Sequence, residues 1–127
     1  MVKRAMKGHQ GAGITPVEFH ILLALVDADR HGYAIMQQVA VDSGDAIQLG
    51  PGTLYGALAR LLDYRFIREV ESGVDPALDD SRRRYYRLTA GGRAAAASEA
   101  NRLAAVVKVA RARQLAVLPH KAAAYEL

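Results

Sequence analysis

A chain of 127 residues with 51% apolar side chains is about one domain long and apolar enough to fold around its own core. The absence of cysteine removes disulfides, thiolate chemistry and cysteine-based zinc sites, and the longest apolar run, Ile21 to Val26, falls far short of the roughly 20 residues that cross a bilayer. The net charge of +4 is unevenly placed: residues 1–7 carry three bases and no acid, residues 8–80 four bases against eleven acids, and residues 81–127 ten bases against two acids.

Two basic zones therefore flank an acidic body, as a polyanion-binding surface requires. A solvated basic helix face gives the same totals, so charge alone leaves both readings open. The opening MVKRAMKGHQGAG has no apolar signal segment, and the chain reads as cytosolic with no membrane partner.

In chain order, residues 1–13 read as a basic arm carrying Lys3, Arg4 and Lys7. Thr15-Pro16-Val17-Glu18 is a capping-box start, with threonine as the cap, proline in the first turn and glutamate three residues after the cap. The spacing of Phe19, Leu22, Leu23 and Val26 predicts the buried stripe of this first helix. Asp27 to His31 form a polar break. A second helix is predicted from about Gly32 to Asp42, with Ile35, Met36, Val39 and Ala40 inward. Ser43-Gly44-Asp45 is a turn, and Ile47 to Leu49 alternate as a very short strand would. Gly50-Pro51-Gly52-Thr53 starts a third helix. Its leucines, Leu54, Leu58, Leu61 and Leu62, make a buried edge, which leaves Thr53, Tyr55, Gly56, Ala59, Arg60 and Asp63 on the other side.

After Tyr64-Arg65 the period changes. Ile67 and Val70, among Arg68, Glu69 and Glu71, predict a strand; Arg84 to Thr89 predict a second; the turn-rich stretch from Ser72 to Ser81 joins them as a hairpin. Tyr85 and Tyr86 alternate across the second strand, and Tyr86 is the one expected in the core. An alanine-rich helix then runs from near Thr89 to about Leu118, where Pro119 stops it. Along it Ala96, Ala100, Leu103, Val107, Ala110, Gln114 and Val117 advance by alternating steps of four and three, a heptad seam. Such a helix is about 40 Å long, more than one small body covers, so part of the seam needs a partner. Residues 119–127 read as a tail.

Helix, helix, helix, strand, loop, strand, long helix is a mainly α order with a small β-hairpin. It is the order of a winged helix-turn-helix domain, here residues 14–89, followed by a C-terminal dimerisation helix, residues 90–118. In that arrangement the third helix lies in a DNA major groove, whose base edges are distinguishable, while the hairpin reaches along the backbone or toward the neighbouring minor groove.

The segments HGYAI (His31 to Ile35), GTLYGAL (Gly52 to Leu58) and RRRYYRLTAGG (Arg82 to Gly92) resemble the signature segments of the PadR family of bacterial transcriptional regulators. The resemblance covers roughly residues 15 to 93. It implies a homodimer that binds a roughly palindromic double-stranded DNA operator, usually as a repressor released by a small-molecule effector or other signal. It places Thr53 and Tyr55 at the start of the recognition helix, in contact with DNA, and Arg82, Arg83 and Arg84 on the basic side of the wing. Tyr86 and Leu88 match the strand that packs the wing on the body, and the helix after Thr89 matches the dimerisation helix. Two positions depart from the family pattern. Arg65 stands where glycine is common at the end of the recognition helix, and Gly56 stands where proline is common. Asp79 and Asp80 near the wing tip repel phosphate, which puts the DNA contact on the arginine side.

Other readings stay beside these. Arg60 is a candidate DNA contact or an ion-pair partner of Asp63. His9, His20, His31 and His120 lack metal-ligand spacing, and His31 is expected to be structural at a helix start. No nucleophile elbow, phosphate loop or carboxylate pair points to an enzyme, and no cofactor is expected. A winged-helix protein-interaction module and a small-molecule sensor with its site at the dimer interface are the alternatives.

Overall fold

The hydroxyl of Thr15 accepts the N–H of Glu18, and the carboxylate of Glu18 accepts the N–H of Thr15 at 2.9 Å, so both halves of the capping box open α1 (Pro16–Ala24). The computed structural model describes residues 13–71 and 84–116. Within them follow β1 (Arg30–His31), α2 (Gly32–Asp42), α3 (Pro51–Asp63), β2 (Ile67–Val70), β3 (Tyr85–Leu88) and α4 (Ala90–Ala112). The fold is mainly helical with a small antiparallel sheet in the order β1-β3-β2. Residues 1–12 of the arm, the stretch from Ser72 to Ser81, Arg82, Arg83, Val117, Leu118 and the tail lie outside the described residues.

The core gathers Ile21, Leu22 and Leu25 from the first helix and the turn after it, Ile35 and Val39 from α2, Leu54, Leu58 and Leu61 from α3, and Ile67 and Tyr86 from the sheet. Tyr86 is buried as expected, and burial pushes its phenol above the ordinary range. The stripe of α1 differs from the expected one. Glu18, Ile21, Leu22 and Ala24 point inward, Phe19 and Leu23 are half-buried, and Val26 lies beyond the helix end and is exposed. The reason is that α1 packs against α2, α3 and α4 at once, so apolar residues surround it and spacing alone does not select a face. Arg30 closes the turn by donating Nε to the carbonyl of Ala24 at 2.6 Å.

Two short extended segments differ from expectation in opposite directions. Arg30 and His31, inside the expected polar break, pair with Tyr86 and Tyr85 as the third strand. Ile47 to Leu49 form no strand, because no ladder partner runs beside them; the Ser43 hydroxyl accepts the N–H of Ile47 at 2.9 Å instead.

The third and fourth helices are bolted end to start. After α3 the N–H of Arg65 bonds the carbonyl of Leu62 and that of Phe66 bonds the carbonyl of Leu61, with Arg65 left-handed at φ 64°. The freed carbonyls then take up Thr89: its N–H donates to Phe66 at 3.0 Å and its hydroxyl to Arg65 at 2.7 Å. The same hydroxyl accepts the N–H of Gly92 at 3.0 Å and caps α4. Gly92 packs directly on the Phe66 carbonyl, where no side chain fits.

The last helix is shorter than expected. It ends at Ala112, not near Leu118, because Gln114 adopts φ 67° and the N–H groups of Gln114 and Leu115 turn back to the carbonyls of Arg111 and Ala110. The 23 residues of α4 span about 35 Å.

Gly92→Ala should therefore lower unfolding free energy by about 2–3 kcal/mol through overpacking. Gly91→Ala, whose added methyl meets only ordinary contacts, should cost almost nothing. Arg65→Gly should stabilise by about 1 kcal/mol by relieving the left-handed residue. Urea unfolding of the three variants checks all of this; equal effects of the two alanine substitutions would contradict the packing.

Candidate nucleic-acid interface

Pro51 sits in the first turn of α3, where its missing N–H is no loss, with Gly50 as the cap. Leu54, Ala57, Leu58 and Leu61 are buried along one edge, and Leu62 is half-buried beside them. The opposite face is open: Thr53, Tyr55, Gly56, Ala59, Arg60 and Asp63 are all exposed, as the leucine spacing requires.

Tyr55 is half-exposed, and its hydroxyl rests over the first residue of α2. A methyl group built on Gly32 would lie 2.5 Å from Tyr55 Oη and 3.1 Å from Cζ. The glycine of HGYAI is thus the seat for the tyrosine of GTLY. Tyr33, next in the chain, is exposed as well. His31 is structural, as expected: its Nδ1 accepts the N–H of Ala34 at 3.3 Å and its ring stands edge-on to Tyr85.

Arg60 does not pair with Asp63. Its Nε donates to Oε2 of Glu18 at 2.7 Å, across from α1. The sequence held no sign of this, since a capping-box glutamate is ordinarily local and solvated. On the wing side Arg84 is exposed and pairs with Glu69 at 2.9 Å across the hairpin. Arg87 makes a two-pronged pair with Asp29 through Nε and Nη2, tying β3 to the turn after α1. The hydrogen bond and charge of Arg87 hold the Asp29 carboxyl below its ordinary range.

The seam on α4 divides. Ala96 is buried in the core of the chain itself, so it offers no free surface for pairing. The docked positions Gly92, Ala96 and Glu99 continue by steps of four and three through Leu103, Val106 and Ala110. Leu103, Val106, Val107 and Val109 are exposed large apolar residues, and Ala100 is exposed with them. Gln114 lies past the helix end. Val106 lies off the expected heptad because the seam reaches it through Glu99, a charged residue within an apolar stripe. Glu99 is nevertheless buried, held by both Nε and Nη2 of Arg102, whose hydrogen bond keeps its carboxyl below the ordinary range. Among the described residues no cluster of His, Cys, Asp or Glu could hold a metal ion, and no helix is long and apolar enough to cross a membrane.

This geometry has known counterparts. The model of the transcriptional regulator PadR-like family matches residues 21–98. The chain belongs to the PadR-like family. A transcriptional regulator from Clostridium thermocellum superposes with a TM-score of 0.65 at 25% identity, over 78% of this chain and 90% of that one. A PadR family regulator from Clostridium difficile gives 0.62 at 25% identity, over 75% and 94%. An uncharacterized 37.1 kDa protein in a transposon of Streptomyces fradiae is 39% identical over 84 residues, 66% of this chain but only 22% of its own length. The chain thus shares the winged-helix fold of a family of DNA-binding transcriptional regulators, and it spans less than two thirds of the length of the curated relatives it matches.

The seat of Tyr55 can be tested without DNA. Gly32→Ala should destabilise by about 1 kcal/mol through crowding of the tyrosine ring and of Leu54 Cδ2, 3.2 Å from the added methyl, and that loss should shrink in a Tyr55→Ala background, which removes the ring's share. Denaturant melts of the four proteins of this cycle measure it; an unchanged loss would mean the ring does not occupy Gly32.

Proposed function

We propose that this PadR-like regulator is a homodimer that binds a roughly palindromic operator and represses transcription until a small molecule or other signal releases it. The observation that carries the reading is the division of α3 into a leucine edge held in the core and a wholly exposed opposite face. A helix so mounted can enter a major groove without disturbing the core. Thr53 and Tyr55, in its first turns, are the base-contacting candidates, with Arg60 further along. Arg84, together with Arg82 and Arg83 of the same basic segment, supplies phosphate contacts that fix register.

Dimerisation is supported by the free half of α4. Leu103, Val106, Val107 and Ala110 stand where the helix has left its own body, and apolar burial there favours a second copy. Ala100 borders this stripe. Repression and release by an effector rest on the family resemblance.

Titration of duplex DNA at several salt concentrations tests the reading. Log affinity should fall linearly with log salt, and Arg84→Ala should weaken binding on every sequence while reducing that slope by about 1. Tyr55→Ala should change which duplexes are preferred. Leu103→Glu with Val106→Glu should convert a sedimenting dimer to monomer and abolish tight binding. A wild-type monomer that retains no duplex at low salt would overturn the proposal.

A further inference from the structure

Glu18 is only 3% exposed, yet its two oxygens serve different elements. Oε1 accepts the N–H of Thr15 and completes the cap; Oε2 accepts Nε of Arg60, 42 residues away. Capping needs no such burial, and a carboxylate taken from water requires a partner. The partner is rooted on the open face of α3 and remains half-exposed.

The direction of the arginine is informative. A methyl group built on Gly56, one turn earlier, would lie 3.9 Å from Arg60 Nη1. The guanidinium therefore lies back along the helix, over the level of Gly56. Long helical side chains lean toward the N-terminus in this way, and here the carboxylate holds the lean in place. From position ten of a thirteen-residue helix, the charged group is brought to the middle of the outer face.

Two other arginine pairs among the described residues are closed, whereas Arg84 gives Glu69 only Nη1 and Arg30 gives Asp27 only Nη2. Arg87 and Arg102 each give both Nε and Nη2 to one carboxylate. Among the hydrogen bonds of the described residues, Arg60 gives Glu18 its Nε alone.

We propose that Glu18 is a positioning residue for operator reading: it fixes Arg60 over the centre of the α3 outer face so that its terminal amino groups bond the O6 and N7 edge of a guanine. This rests on the DNA-binding reading above and adds a base and a mechanism to it. The pair is neutral as a whole, so it adds little to the sequence-independent attraction of cations for phosphate. What it supplies is donor direction. Arginine to guanine is the commonest specific contact, and its planar fork suits the two acceptors. A side chain ordered before binding also loses less entropy on docking.

Selection of duplexes from a random pool by wild type, Arg60→Ala, Glu18→Gln and the double variant decides the matter. Glu18→Gln keeps the shape and a hydrogen-bonding oxygen, and melting curves establish that each variant is folded at the selection temperature. Wild type should enrich a guanine at one fixed position of each half-site. Arg60→Ala should lose that preference, Glu18→Gln should reduce it by about tenfold, and the double variant should match Arg60→Ala. The proposal is overturned if Arg60→Ala weakens all sequences evenly, as loss of a phosphate contact would. It is equally overturned if both substitutions lower only the melting temperature and leave the motif intact, the mark of a plain staple between α1 and α3. A wild type that enriches nothing fails the DNA-binding reading itself, an outcome distinct from a motif indifferent to Glu18 and Arg60.

Discussion

The angle between α3 and the long C-terminal helix is set at one junction, where Thr89 and Gly92 meet the backbone of Arg65 and Phe66. Two carbonyls released by the end of α3 receive the N–H and hydroxyl of Thr89, and the same hydroxyl starts α4. Gly92 lets the two backbones touch. A dimer built through α4 would inherit this angle in both copies, and with it the separation and tilt of the two α3 faces. Arg65, left-handed at φ 64°, turns the chain out of α3 just where these two carbonyls are presented.

Acid and base are segregated along the chain but not in space. Arg84, Arg87 and Arg102 come from the basic third, yet each meets an acid: Glu69, Asp29 and Glu99. The pair of Arg87 holds the wing strand to the α1–α2 turn, and the pair of Arg102 stands where α4 leaves the body. Part of the positive charge counted in the sequence is thus tied into the fold. The more exposed pairs, of Arg84 and Arg87, add at most about 1 kcal/mol each to stability, and their larger effect is to fix geometry near the faces that remain open.

Local signals made much of this architecture legible. The capping box at Thr15, the proline at the start of α3, the four-leucine edge and the alternation of Tyr85 and Tyr86 each depend on neighbours within one or two turns, and each gave its element correctly. What stayed hidden depends on distant partners or on rare backbone states. β1 is two residues long and exists only because β3 passes beside it. The end of α4 is set by a left-handed glutamine, a residue type that does not announce such a turn as glycine would. The inward face of α1 could not be told from spacing because three helices surround it. At the candidate site, the exposure of Thr53 and Tyr55 followed from helical periodicity, whereas the bond from Glu18 to Arg60 joins residues 42 apart and has no local trace.

The account turns on the outer face of α3 entering DNA in two copies. Because the chain contains no cysteine, an Ala59→Cys substitution on that exposed face gives a single attachment point for a DNA-cleaving iron chelate. The account predicts strand cleavage at two sites on an operator duplex, separated by about one helical turn, roughly 10 base pairs. No cleavage beyond that of the untethered reagent, with the duplex still bound, would contradict it.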